Sequence, residues 1–225
     1  RRGKAGVECQ PMIPIANAVM NSPDASAWRI ARSYGTYIDP VSMDPLWSAR
    51  EAVLYWVDIP HGVIHCWQPQ TGERRQWRLP VAVGSIGLRE SGGLVVAMRS
   101  GFHLFDLQTE ALTFVCHPEP DLPSNRLNDG KVSPEGRFWA GTMDERPQKE
   151  PVGSLYRLDA DHRCTRMSGG VKVSNGLAWS PDGRTMYHTD TPTQVVHAYD
   201  YDAASGTPAN PRVRCPTSSV PATAR

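Results

Sequence analysis

Two short polar stretches of this 225-residue chain carry side chains suited to binding a sugar or a hard cation. Residues 125–132 combine amides, a guanidinium and a carboxylate, and residues 173–179 place a further amide, Asn175, next to Gly176. Amides and guanidinium groups hydrogen-bond to hydroxyl and carbonyl oxygens, and amide or carboxylate oxygens are ligands for hard divalent cations. Asn-Asp-Gly is also an ordinary turn sequence, so the first stretch alone predicts a polar loop.

Several other kinds of chemistry are excluded by their missing motifs. The chain has no G-x-S-x-G, H-E-x-x-H, P-loop or G-x-G-x-x-G pattern, which argues against a serine hydrolase of that type and against nucleotide binding. Lys and Arg number 24 against 23 Asp and Glu, for a net charge of +1. This balance predicts neither a nucleic-acid partner nor a membrane surface.

The cysteine pattern indicates the cellular compartment of the protein. There are five, an odd number, and none forms a C-x-x-C pair. The pattern favours reduced thiols and a cytoplasmic protein.

The polar stretches belong to a repeat that predicts the fold. Short apolar strands begin at residues 54, 94, 138 and 186, and each is followed by a second strand containing an aromatic residue. Residues 133–137 and 180–184 have Pro and Gly where a type I turn prefers them. A period of about 40–50 residues with no long helical pattern favours an all-β fold, a β-propeller with about four recognisable blades. Hairpins in a sandwich or barrel are the alternative. In a propeller, the two polar stretches would face one central channel, where ligands bind.

Five ordered motifs resemble those of the senescence marker protein/gluconolactonase/regucalcin family. They are residues 45–47, 54–59, 126–131, 136–143 and 174–183. The resemblance implies a six-bladed propeller and lactonase activity on sugar lactones, with a divalent metal (Zn, Ca, Mn or Mg) at the top of the channel. It covers residues 45 to about 207, so we expect irregular segments at 1–44 and 208–225.

Site residues are carried over by position in the matching motifs. Asn175 matches the family's metal-binding asparagine, and Arg126 and Asn128 match residues that hold the hydroxyls of the sugar. Glu145 lies beside a further substrate-contacting position, which Arg146 occupies here. In the family's chemistry a metal polarises the lactone carbonyl and lowers the pKa of a bound water, and a carboxylate takes the proton. Asp129 is expected to brace its loop.

The chain departs from the family pattern at two ligand positions. Met43 stands where the family has a metal-binding Glu, and a thioether is a poor ligand for a hard cation. Asp44 would reach the ion only through a one-residue shift, which turns a side chain to the opposite face of a strand. The family's catalytic Asp lies in a later segment that has no counterpart here, so no catalytic residue is assigned. The resemblance breaks abruptly at both ends, which predicts a truncated or disrupted gene and impaired activity.

Two other functions fit the same pattern. One is a non-catalytic propeller that acts as a binding module, and the other is a calcium-binding protein without turnover. With about four blades of six, we also expect self-association through open blade edges.

Overall fold

A computed structural model of the chain describes residues 42–216 as four antiparallel sheets of four strands, each in chain order. We call these sheets blades 1 to 4. Blade 1 contains β1 (Ser42–Ser48), β2 (Val53–Asp58), β3 (Val63–Trp67) and β4 (Arg74–Arg78). Blade 2 contains β5 (Val83–Leu88), β6 (Leu94–Met98), β7 (Gly101–Phe105) and β8 (Leu112–Cys116). Blade 3 contains β9 (Asn125–Val132), β10 (Phe138–Asp144), β11 (Gly153–Leu158) and β12 (Cys164–Val171). Blade 4 contains β13 (Ser174–Trp179), β14 (Thr185–Asp190), β15 (Val195–Asp202) and β16 (Thr207–Pro216), with a 3-10 helix at Thr191–Thr193.

The predicted repeat corresponds to the second and third strands of the blades. The apolar strands beginning at 54, 94, 138 and 186 lie in β2, β6, β10 and β14, and their partners are β3, β7, β11 and β15. In both predicted turns the glycine N–H donates to the serine carbonyl, from Gly136 to Ser133 and from Gly183 to Ser180, each at 2.9 Å. The all-β propeller prediction is confirmed for these four blades.

The core lies between successive blades because side chains alternate across each strand. In β6, Leu94, Val96 and Met98 belong to a cluster shared with blade 1, whereas Val95 and Ala97 belong to one shared with blade 3. A strand that is covered on both faces has no polar position, and all five of these residues are buried.

Blades 3 and 4 meet through an aromatic cluster. The rings of Trp139, Trp179 and Tyr201 are 5.7–6.0 Å apart and edge-on to one another. Arg137 and Arg157 of blade 3 also donate to backbone carbonyls of the turn between β15 and β16. These contacts hold blade 4 against blade 3, and Asn128 and Asp129 of β9 bond directly to β13.

The two polar stretches are strands, not the loops that the sequence predicted. They form β9 and β13, the first strands of blades 3 and 4. The first strands of consecutive blades contact one another, so one edge of each faces the channel and accommodates polar residues. Asn-Asp-Gly makes no turn here. Gly130 is needed because a Cβ would lie 2.7 Å from the Trp139 carbonyl oxygen.

The predicted boundaries at 44 and 208 are also wrong for the described residues. Residues 42–44 belong to β1, whose alternation is interrupted by a bulge between Met43 and Leu46. Residues 208–216 belong to β16, the outer strand of blade 4. Pro208 and Pro211 suggested irregular chain, but an outer strand tolerates proline because one of its edges has no partner strand. The remaining residues of both predicted segments lie outside the described range.

Two further observations concern the described part of the chain. Cys66, Cys116 and Cys164 are free thiols, and only Cys66 is fully buried. No helix within residues 42–216 has the length and hydropathy of a membrane-spanning segment.

Candidate functional site

Arg126 is the centre of the candidate site, at the start of β9. Its side chain is 12% exposed, and its Nη1 donates to Asn128 Oδ1 at 2.8 Å and to the Leu127 carbonyl at 3.0 Å. Its Nε pairs with Glu145 Oε1 at 3.2 Å. Burial lowers the pKa of Arg126, the Glu145 carboxylate raises it, and the positive charge of Arg99 lowers it. The predicted substrate residues Arg126, Asn128 and Glu145 therefore form one hydrogen-bonded network.

Asn128 and Asp129 connect this network to β13. The Nδ2 of Asn128 donates to the Ser174 carbonyl at 2.8 Å, and Asp129 accepts from the Gly176 N–H at 2.7 Å. The pairing of β9 with β10 shifts in register between Ala140 and Thr142, opposite these two residues. This bulge lets the consecutive side chains of Asn128 and Asp129 both reach β13, whereas in a regular strand they would point to opposite faces. Asp129 thus makes the bracing contact expected from the sequence, between strands and not within a loop.

Asn175 lies between these two anchoring points. Its Nδ2 donates to Thr191 Oγ1 at 3.1 Å, and its Oδ1 accepts from the Gly176 N–H at 3.1 Å. The amide is therefore oriented with its carbonyl oxygen towards the backbone. The structure brings the predicted metal residue next to the predicted substrate residues, one strand away.

A buried pair behind Asn175 was missed by the sequence reasoning. Ser174 Oγ lies 2.8 Å from His188 Nε2, and both residues are almost fully buried. Burial lowers the pKa of His188 to about 4, so the imidazole is neutral at pH 7. Because the pair is buried, we read it as a support that fixes the start of β13. A histidine in an alternating strand gives no sequence signal for this role.

Met43 and Asp44 lie on the bulge of β1. Met43 is 40% exposed, and Asp44 has φ 56, a left-handed conformation. The Asp44 carboxylate accepts from the Ile86 N–H of β5 at 2.8 Å. Burial, together with the nearby negative charge of Asp129, raises the pKa of Asp44 to about 7. The bulge removes the regular alternation on which the sequence argument about Asp44 relied.

The described residues do not fit a divalent metal site. No group of three or more His, Cys, Asp or Glu side chains within residues 42–216 is arranged to hold an ion. Of the protein ligands implied by the resemblance, Asn175 alone is in place, and an exposed thioether stands at the position of a second. We therefore derive no chemical step through a metal.

Arg99 is a second residue that the sequence reasoning missed. It follows β6, its side chain is 48% exposed, and its Nη1 forms an ion pair with Glu145 Oε2. Glu145 follows β10, the corresponding strand of the next blade. The ends of equivalent strands meet at one end of a propeller, and this regularity would have brought Arg99 to attention.

Comparisons with known proteins agree with this fold. Residues 44–221 match the family model described as SMP-30/Gluconolactonase/LRE-like region. The chain is 46% identical over 165 residues to 6-deoxy-6-sulfogluconolactonase of Pseudomonas putida, covering 72% of this chain and 56% of that protein. It is 38% identical to regucalcin of Xenopus laevis, covering 76% and 59% respectively. The structure of regucalcin from Agrobacterium tumefaciens, titled a calcium-binding protein, superimposes with a TM-score of 0.72 at 28% identity, covering 77% of this chain and 58% of that one. The chain thus spans less than two thirds of the length of these relatives.

Proposed function

The chain belongs to the SMP-30/gluconolactonase/LRE-like family, and on this basis we propose that it binds and hydrolyses sugar lactones. The family membership confirms the resemblance carried by its motifs. The observation that supports the activity most is the partly buried network of Arg126, Asn128 and Glu145 at the channel end of β9. Relatives named as lactonases provide the reaction class.

We propose that the network orients the sugar ring. Asn128 is held at both ends of its amide, by Arg126 and by the Ser174 carbonyl, so its direction is set before a ligand arrives. A pre-oriented amide loses little rotational freedom on binding a hydroxyl group. Among residues 42–216, the Nε and Nη1 of Arg126 have partners and its Nη2 has none, so the guanidinium keeps donors that suit the oxygens of a lactone.

We propose that the reaction in this chain is slow. The described residues offer no assembled metal site, and Met43 stands at the position of a family ligand. Any need for a divalent cation (Zn, Ca, Mn or Mg) is therefore part of the proposal and is open to direct measurement. A cytoplasmic location also stays a prediction.

Gluconolactone hydrolysis above the spontaneous rate tests this proposal. We would measure it with a chelator and with added Zn²⁺, Mn²⁺ or Ca²⁺, for the unaltered chain and for Met43→Glu. The expected result is weak turnover in the unaltered chain and a larger response to added metal in Met43→Glu, because a carboxylate replaces a thioether. Absence of hydrolysis in both proteins under all conditions would overturn the proposed function. Strong metal-dependent turnover in the unaltered chain would show that its activity is not impaired.

A further inference from the structure

One carboxylate is shared by two guanidinium groups at the channel end of blades 2 and 3. Glu145 pairs with the partly buried Arg126 through Oε1 and with the half-exposed Arg99 through Oε2. Arg99 also makes a long hydrogen bond to the Pro123 carbonyl, at 3.4 Å. Arg99 is therefore the member of this group that a solute meets first.

The neighbouring carboxylates have other partners. Asp144 is held by Arg146 through three contacts of 2.8–3.0 Å. Glu119, which is 7% exposed, accepts from the neutral donors Asn125, Thr142 and Tyr156. It lines the same small cavity as Arg99 and Arg126. Within residues 42–216, Arg99 and Arg126 thus have Glu145 as their one ion-pair partner.

The two guanidinium groups that share Glu145 also act on each other electrostatically. The positive charge of Arg99 lowers the pKa of Arg126, against the larger opposing effect of Glu145. Two like charges held close together in a partly desolvated place repel each other, and an anion next to them relieves the repulsion.

We propose that Arg99 determines specificity for sugar lactones that carry an additional acidic group, such as a sulfonate or phosphate, away from the lactone carbonyl. This inference rests on the proposed function. Asn128 and Arg126 would hold the ring hydroxyls, and Arg99 would contact the acidic group at the solvent-facing side. A planar guanidinium can bind two oxygens of such a group at once, which an ammonium group cannot do with the same geometry.

The test compares gluconolactone with gluconolactone phosphorylated or sulfonated on its terminal carbon. Arg99→Gln is expected to lower the ratio of kcat/KM for the charged lactone to that for the neutral one by about tenfold. Arg99→Lys retains the positive charge but not the planar guanidinium. Its kcat/KM ratio should therefore lie between those of the unaltered chain and Arg99→Gln. Arg184→Gln is the control. It removes one positive charge from the turn between β13 and β14, at the end of the blades opposite to Arg99, and should leave the ratio unchanged. The ratio should also decline with added salt in the unaltered chain, which a purely structural role for Arg99 would not produce.

Two outcomes separate this inference from the proposed function. Hydrolysis of both lactones with the same ratio in the unaltered chain and in Arg99→Gln overturns the role of Arg99 and leaves the lactonase intact. If neither lactone is hydrolysed, the proposed function fails, and calorimetric titration with gluconate and terminally phosphorylated gluconate still decides the role of Arg99. The phosphorylated acid should then bind about tenfold more weakly to Arg99→Gln than to the unaltered chain, and equal binding would contradict the inference.

Discussion

At the residue scale, His188 connects the site to the pH dependence of stability. Its pKa falls from 6.5 to about 4 on folding because the ring is buried against Ser174. The unfolded chain therefore binds more protons than the folded chain between these values, and stability is lost as the pH falls from 6.5 to 4. The loss amounts to about 3 kcal/mol.

The variant His188→Gln should lack the loss of stability that His188 causes between pH 6.5 and 4. Urea unfolding at several pH values would show a shallower decline of the free energy of unfolding below pH 6.5, because a neutral amide does not titrate. An unchanged pH profile in His188→Gln would mean that the imidazole is not buried in its neutral form.

Asp44 should act in the opposite direction. Its pKa rises from 3.8 to about 7 on folding, so the folded chain holds the extra proton and stability is lost as the pH rises through this range. Asp44→Asn keeps an oxygen for the Ile86 N–H and removes the ionisable group. The same urea series should show Asp44→Asn more stable than the unaltered chain at pH 8 and no more stable at pH 3.5. Equal stability of the two proteins at pH 8 would contradict a buried carboxylate at this position.

At the scale of elements, the contact between β10 and β13 limits what Gly141 can become. A Cβ on Gly141 would lie 1.8 Å from Ser174 Oγ and 2.2 Å from Ser174 Cβ. Gly141→Ala should therefore cost about 3 kcal/mol. In the double variant Gly141→Ala/Ser174→Gly, the second change should recover part of that cost.

The measurement is a double-mutant cycle of unfolding free energies, with Gly72→Ala as the control. Gly72 has φ 75 and open space around its Cβ position, so its substitution should cost only about 1 kcal/mol of backbone strain. If the two substitutions at Gly141 and Ser174 prove additive, the strands are not in contact as described.

The same elements show what the sequence could and could not predict. The second and third strands of the four blades recur at a steady period, and those of blades 2 and 3 are mostly buried, so their pattern was sufficient. The inner strands β9 and β13 face the channel and therefore carry polar residues. Because of this polar composition, the sequence analysis predicted loops there. The outer strand β16 carries prolines that are tolerated only at an edge.

Contacts between blades were the least predictable part of the site. The motifs identified Arg126, Asn128 and Asn175, but the pairing of Arg99 with Glu145 depends on which strand ends adjoin in space. Likewise, bulges in β1 and β9 decide where Asp44 and Asp129 point, and bulges leave little trace in a single sequence.

At the scale of the whole molecule, the blades form a consecutive series. Within residues 42–216, the apolar clusters join blade 1 to 2, 2 to 3 and 3 to 4, and none of them joins blade 4 to blade 1. Sheet faces and edges at the two ends of such a series favour association. Sedimentation velocity over a range of concentrations should therefore show oligomers of the isolated chain. A concentration-independent monomer that melts sharply and reversibly would contradict this prediction.

The most direct test of the central claim is lactone hydrolysis by Arg126→Gln beside Arg184→Gln. Both substitutions remove one guanidinium, but only Arg126 bonds to Asn128 and Glu145. We predict that kcat/KM for gluconolactone falls at least tenfold in Arg126→Gln and stays within a factor of two in Arg184→Gln. Equal kcat/KM in Arg126→Gln and the unaltered chain would show that this network is not the lactone site.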